Sequence, residues 1–227
     1  MSQKIVEVVV GVLIREDGKM LLSSRPEGKP YAGYWEFPGG KIEAAETAEA
    51  ALARELEEEL GVLVKRSTPW FVMEHRYEHA HVRLHFRRSH DFTGEPTPKE
   101  GQQYGFFSAA ERTPGLLLPV DLAVVNRVEL PEVFEESVNQ RTLSRLALQA
   151  AVVRDRRIRW VGARVETLDD VLKAKAMDFD YVVTKPECFD ALLDQGEPRL
   201  PTYVEGAPAK DLALWQARGA HGVKPYI

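Results

Sequence analysis

The stretch from Gly40 to Val62 concentrates the residue types that could do chemistry. Four glutamates, Glu55, Glu57, Glu58 and Glu59, stand just before Gly61. The pattern predicts a helix of about 14 residues, starting near Thr47 and stopped by Gly61, with these glutamates in its last turns. At 100° per residue Glu55, Glu58 and Glu59 lie within one ~100° arc, while Glu57 points to the other side. Like charges at these spacings repel by roughly a few tenths of a kcal/mol per pair. Carboxylates at a helix C-terminus also meet the negative end of the macrodipole, at a cost of ~0.3–1 kcal/mol each. Arg54 alone does not neutralise four glutamates. The arrangement makes sense if a divalent cation supplies the missing charge, and oxygen-only ligands suit a hard ion, Mg²⁺ or Mn²⁺. The plainer alternative is a solvated acidic face. Against it stand the wrong-end placement and the approach to the helix, Pro38-Gly39-Gly40-Lys41. Two glycines let the backbone come close to a phosphate and leave carbonyls free for a metal, and Lys41 is a point charge for phosphate oxygens. Together these features point to metal-assisted attack on a phosphoanhydride.

The elements that must position this site are legible around it. Ala48, Ala51, Leu52, Leu56 and Leu60 form the apolar stripe that docks the helix on a sheet. Residues 5–14 alternate and then run apolar, a largely buried strand, and Asp17-Gly18 turns the chain into a returning strand from Met20. Pro26, Gly28, Pro30 and Gly33 mark a loop. Strand patterns follow at 62–65, 69–76, 80–88 and 103–107, with a short apolar segment over 116–125. Hairpins around one helix imply α+β for residues 1–125. Residues 126–141 are polar and acidic and read as a linker. Beyond it the pattern is α/β: helices at 142–154, 167–177, 187–195 and 209–218 alternate with strands at 158–163, 180–185, 201–205 and 222–226. Such βαβ spacing predicts a parallel sheet.

Composition narrows the function further. The 227 residues are 44% hydrophobic and 29% charged, the balance of a globular protein rather than a disordered one. The longest apolar run, Val8 to Ile14, is seven residues, short of the ~20 that span a bilayer, and no leader pattern is visible. A soluble, cytoplasmic protein with no membrane partner is expected. The net charge of −5 offers no attraction for a nucleic-acid polymer. The single cysteine, Cys188, excludes an internal disulfide and a multi-cysteine zinc site, and is expected to be inert.

Gly40, Glu46 and the run Arg54-Glu55-Leu56-Glu57-Glu58-Glu59-Leu60-Gly61-Val62 fill every defined position of the 23-residue Nudix box. Over residues 1–125 the chain resembles Nudix hydrolases, and Trp35-Glu36-Phe37-Pro38-Gly39-Gly40-Lys41 resembles the MutT-type branch. The resemblance implies a Nudix α/β/α sandwich with a mixed sheet, and hydrolysis of 8-oxo-dGTP to the monophosphate and pyrophosphate. It implies that Glu55, Glu58 and Glu59 bind Mg²⁺ with the main-chain carbonyl of Gly39, and that Glu46 and Arg54 form a structural pair. Glu100 sits where that branch has an additional catalytic or metal-binding glutamate. The resemblance therefore offers Glu55 or Glu100 as the base that takes a proton from the attacking water, with Glu58 as a further catalytic residue. Arg25, Glu36, Phe37 and Pro38 match nucleotide-binding positions, as do Gly39 and Lys41. Asp121 falls where the branch has an asparagine that reads the oxidised base. An asparagine donates and accepts, whereas an ionised aspartate only accepts. A protonated Asp121 could donate, which requires a raised pKa in an apolar site.

His79, His81 and His85 alternate with apolar residues, which predicts an open strand face shared with Arg83 rather than a zinc site. Tyr77 or one of these histidines is a candidate for lining the substrate cleft. Residues 157–227 resemble the later βα units of thiamine-phosphate synthase and its TenI-like relatives. Arg164-Val165 replaces the usual serine-histidine, and only Gly206 remains of the phosphate loop. With four strands where a closed barrel needs eight, the reading is a degenerate partial (βα) half-barrel over 142–227, without synthase activity. Its open edge would be covered by the first domain, by the helix at 142–154 or by a second subunit in a homodimer. The overall expectation is a Mg²⁺-dependent nucleoside triphosphate pyrophosphohydrolase serving nucleotide-pool sanitation. The alternatives are a Nudix pyrophosphatase acting on thiamine precursors and a non-catalytic ligand sensor.

Overall fold

The computed structural model describes residues 4–78, 80–99, 101–111, 113–134, 137, 139–150, 155, 157–196 and 198–226. The chain divides into two compact units, Met1–Thr68 with Met73–Glu129, and Pro69–Val72 with Leu130–Ile227.

In the first unit β1 (Ile5–Leu13) pairs in parallel with β6 (His81–Thr93) and antiparallel with β4 (Gly39–Lys41); β5 (Leu63–Arg76) completes a mixed sheet of order β4-β1-β6-β5. A second sheet joins β2 (Met20–Ser24) to β3 (Trp35–Glu36) and β7 (Tyr104–Phe107). Helix α1 (Ala48–Leu60) begins as the sequence dictates: the Thr47 side chain accepts from the Ala50 N–H, and Gly61 closes the helix at φ 67°. That left-handed conformation suits glycine, and with it the N–H groups of Gly61 and Val62 reach the oxygens of Glu57 and Leu56. Ala51, Leu52, Leu56 and Leu60 are buried against Val9, Leu13 and Leu21. The alternate residues of the sheet, Val8, Val10, Val82 and Leu84, line a cleft. Period two along β1 thus assigns one face to the helix and the other to the cleft. Helix α2 (Pro119–Val128) contributes Asp121 to that cleft. The apolar segment over 116–125 is helical from Pro119, and the helix runs on to Val128, into the stretch read as linker.

The second unit carries a five-stranded, all-parallel sheet of order β12-β11-β10-β9-β8, built from β8 (Gln140–Leu143), β9 (Trp160–Arg164), β10 (Tyr181–Thr184), β11 (Thr202–Glu205) and β12 (Gly222–Lys224). Helices α3 (Arg145–Gln149), α4 (Leu168–Ala176), α5 (Pro186–Leu193) and α6 (Leu212–Ala217) connect the strands, with a 3-10 turn over Ala209–Asp211. The helix expected at 142–154 is corrected to β8 followed by the five residues of α3, with 151–154 outside the described residues. The fifth strand lacks an apolar signature; its residues form a strand because β9 pairs with them, a non-local cause. It also covers the β9 edge that the sequence left open.

Core packing sets the first expected outcome. Leu52→Ala empties a fully buried site under α1 and should lower unfolding free energy by about 2–5 kcal/mol in urea denaturation. A change within 1 kcal/mol, about the cost of a surface replacement, contradicts the packing described.

Candidate active site

The first unit holds a cleft of about 500 Å³. At one end lie Gly39, Gly40, Lys41, Glu55 and Glu59; at the other lie Arg25, Glu36, Tyr77 and Asp121. Phe37 and Pro38, between β3 and β4, also line the cleft.

The acidic end is organised by Arg54. Its Nε and Nη2 donate to the two carboxylate oxygens of Glu46 at 3.0 and 2.9 Å, a bidentate pair. Its Nη1 donates to Glu55 at 3.0 Å and to Glu58 at 3.3 Å, and Nη2 also reaches the main-chain oxygen of Lys41 at 3.1 Å. One guanidinium thus ties the helix to the loop before it and to β4. The bond to Arg54 also holds the Glu46 carboxyl below its usual range. Gly40 is required for this approach: a Cβ there would stand 2.1 Å from the Glu55 carboxyl carbon. Gly39 is equally constrained, because its Cβ would meet the Val9 carbonyl oxygen at 2.2 Å.

Glu55 and Glu59 reach the cleft, whereas the Glu58 side chain is 62% exposed and does not line it. Among the described residues no three carboxylates, imidazoles or thiols converge closely enough to form a ready-made metal cluster. The donors fit a hard divalent cation in kind: carboxylate oxygens, a carbonyl edge at Gly39, and a space beside Glu55 that only glycine leaves open. Glu100 lies outside the described residues.

At the other end burial dominates. Asp121 is 5% exposed, and desolvation, reinforced by the charge of Glu36, raises its pKa well above the ordinary carboxyl value, although the Phe37 N–H donates to it. Burial also raises Glu36, but Arg25 opposes this through Nη1, which donates to Glu36 at 2.5 Å. Arg25 is itself held by Nε donation to the Pro30 carbonyl at 2.6 Å. Both acids are shifted toward the protonated form, Asp121 the more strongly, and at Glu36 the guanidinium opposes the shift. The Tyr77 phenol is pushed up by burial and by these same carboxylates, so it stays a neutral O–H. Tyr31 and Tyr77 pack at 5.6 Å between ring centroids beside them.

Several residues come from outside the sequence reading. Tyr31 and Gln102 line the cleft, and neither belongs to a motif. Tyr31 has φ 61°, a conformation unusual for tyrosine, and its Gly/Pro-rich loop was the sole available signal. His81 and His85 are not on an open face: His85 Nε2 lies 2.7 Å from Glu7, His81 Nε2 lies 3.5 Å from Glu74, and Arg83 bridges both glutamates. Neither reaches the cleft, and His79 lies outside the described residues.

Residues 5–127 match the family model described as NUDIX domain. The chain is 33% identical over 128 residues to the 8-oxo-dGTP diphosphatase of Haemophilus influenzae, covering 56% of this chain and 94% of that one. It is 37% identical over 124 residues to the CTP pyrophosphohydrolase of Escherichia coli, covering 54% and 90%. The crystal structure of a MutT NUDIX hydrolase from Burkholderia pseudomallei matches at a TM-score of 0.50 and 30% identity, over 54% of this chain and 97% of that one. The chain belongs to the NUDIX family of hydrolases. Its first unit is an enzyme of phosphoanhydride bonds, a class that uses divalent metal ions.

Two outcomes follow from this geometry. Gly40→Ala drives a methyl group into the Glu55 carboxylate and should lower kcat by at least about tenfold, since displacements near 1 Å at a reacting centre carry such costs. Circular dichroism should show the fold retained; unchanged turnover would dismiss the cradle. For Asp121 the sign is that of a raised acid. Its stabilising proton is fully bound below the ordinary 3.8 and is lost as pH rises toward the raised value, so stability falls across that window. Asp121→Asn should flatten this part of the pH–stability curve, and an unaltered slope would show that Asp121 is not its source.

Proposed function

We propose that this chain is a Mg²⁺-dependent nucleoside triphosphate pyrophosphohydrolase that converts 8-oxo-dGTP to 8-oxo-dGMP and pyrophosphate, and so keeps oxidised guanine out of DNA. The observation that carries this reading is one cleft with two chemically distinct ends, carboxylates with glycine backbone at one and buried hydrogen-bonding groups at the other. A nucleotide has the same polarity, a polyanion at one end and a flat base with donors and acceptors at the other.

In this reading Glu55, Glu58 and Glu59, with the Gly39 carbonyl and Glu100, would hold Mg²⁺, or Mn²⁺ in its place. Bound there, a divalent cation would supply charge neutralisation and Lewis-acid polarisation to a diphosphate. Lys41 adds a point charge on the phosphate side, and Gly39 and Gly40 let the triphosphate approach the main chain. Water attack opens the α–β anhydride, and its proton passes to Glu55 or Glu100. Arg54 and Glu46 hold the helix and do not touch substrate. Arg25, Glu36, Phe37 and Pro38 line the nucleoside end.

Asp121 takes the place of an asparagine, and its raised pKa favours the protonated carboxyl, which answers the objection that an aspartate only accepts. A neutral carboxyl presents one O–H donor and one carbonyl acceptor, the same pair as an amide. The selectivity for an oxidised base would then depend on pH, weakening as Asp121 ionises.

The reading is tested by steady-state hydrolysis of 8-oxo-dGTP, dGTP, CTP and hydroxymethylpyrimidine diphosphate with Mg²⁺. The highest kcat/KM is expected for 8-oxo-dGTP; faster turnover of the pyrimidine diphosphate reassigns the substrate, and no turnover of any returns the ligand-sensor alternative. Glu58→Gln should reduce kcat by about 10²-fold or more through loss of a metal ligand. Near-normal rates would remove Glu58 from the site.

A further inference from the structure

Helix α1 is well capped by Gly61 but ends badly in its electrostatics. Its last turn contains no basic residue, Glu57, Glu58 and Glu59 follow one another, and the carbonyl end of the dipole adds to their charge. A last turn of this composition should fray. The residues proposed to hold metal nevertheless sit in that turn, and contacts from beyond the helix add to the Gly61 cap in holding it.

The segment 94–102 supplies what is missing. Thr97 N–H donates to the Leu60 oxygen at 2.7 Å, and Lys99 N–H donates to the Glu59 oxygen at 3.1 Å. Two side chains add to these main-chain bonds. Lys99 Nζ donates to the Glu57 oxygen at 2.7 Å, and Gln102 Nε2 donates to the Glu59 oxygen at 3.2 Å. Gly94 packs so close that a Cβ there would stand 2.9 Å from the Gly61 oxygen. Gln102 is 6% exposed and lines the cleft, so its amide joins the helix end to the substrate space. Lys99 brings the only charge among these donors, placed where a cation at a helix C-terminus is favourable. We propose that Lys99 and Gln102 are positioning residues that hold the last turn of α1, and with it Glu58 and Glu59, in the geometry that binds the metal. This rests on the metal-dependent reading above.

The two effects of Lys99 have opposite signs, which makes the idea testable. A lysine near a cluster of carboxylates lowers cation affinity by simple repulsion, so its removal should strengthen binding if charge were its sole influence. A residue that keeps the ligands in place raises affinity, so its removal should weaken binding. The experiment measures Mn²⁺ binding to the full chain by electron paramagnetic resonance, without nucleotide, for wild type, Lys99→Met, Lys99→Arg and Gln102→Leu. Lys99→Met and Gln102→Leu are expected to raise Kd by about tenfold, and Lys99→Arg, which keeps a charged donor, to stay within about twofold of wild type. In hydrogen exchange, the Thr97 amide should exchange at least about tenfold faster in Lys99→Met than in wild type. Kinetically, Lys99→Met should raise the Mn²⁺ concentration for half-maximal rate while leaving KM for the nucleotide within about twofold. Equal or tighter Mn²⁺ binding in Lys99→Met overturns the proposal, as does failure of Lys99→Arg to restore it. Should wild type hydrolyse no nucleotide, the proposed function fails by itself, while Mn²⁺ binding and amide exchange still decide the role of Lys99 and Gln102.

Discussion

The structure of the first unit is arranged around a charge problem. Glutamates crowd the C-terminal turn of α1, where each repels its neighbours and all oppose the helix dipole. The fold answers from three directions. Arg54 enters from within the helix and shares its guanidinium among Glu46, Glu55 and Glu58. The segment after β6 caps the final carbonyls with main-chain N–H groups and the Lys99 ammonium. The apolar stripe of Leu52, Leu56 and Leu60 anchors the opposite side in the core. None of these removes the excess negative charge at the cleft, and that residue of charge is what a divalent cation would use.

The far end of the cleft shows the complementary strategy. There the carboxyls are desolvated instead of concentrated, and one guanidinium distinguishes them. Arg25 bonds Glu36 and opposes its upward shift, whereas at the neighbouring Asp121 burial and the Glu36 charge act in the same direction, toward the protonated form. Two acids a short distance apart thereby acquire different hydrogen-bonding capacities. The Tyr77 phenol beside them stays neutral, its pKa pushed up chiefly by burial.

The second unit has a different internal logic. One side of its parallel sheet is packed with aromatic rings: Tyr203 meets Phe134 and Tyr181 edge-on at centroid distances of 5.2 and 5.3 Å, and Phe134 and Tyr181 meet in a tilted contact at 5.9 Å. The backbone of Glu132 crosses β12 so closely that a Cβ on Gly222 would stand 2.0 Å from its oxygen. Trp70 Nε1 donates to His221 Nδ1 at 3.0 Å, and His221 Nε2 lies 3.1 Å from the Leu130 oxygen, the one-donor, one-acceptor pattern of a neutral imidazole. With side chains filling that side, the sheet is a packed core, and Tyr181 occupies the space a side chain at position 162 would need.

How much of this was legible beforehand depends on how local each cause is. The start and stop of α1 were written in Thr47 and Gly61, and the face assignments of β1 in its alternation, because capping and periodicity act within a few residues. The acidic cluster likewise announced a cation by its own electrostatics. Other features have causes far away in sequence. The strand at 140–143 has no apolar signature and exists because β9 pairs with it. His81 and His85 look solvent-facing by period two, yet Glu74 and Glu7 meet them. The raised pKa of Asp121 depends on its burial and on Glu36 and Arg25, which lie more than eighty positions earlier in the chain. Tyr31 and Gln102 belong to no pattern at all and reach the cleft through the path of the chain. Residue type and spacing determined which chemistry was available; desolvation and contacts between distant segments, which exist only after folding, decided where charge resides and which groups share one space.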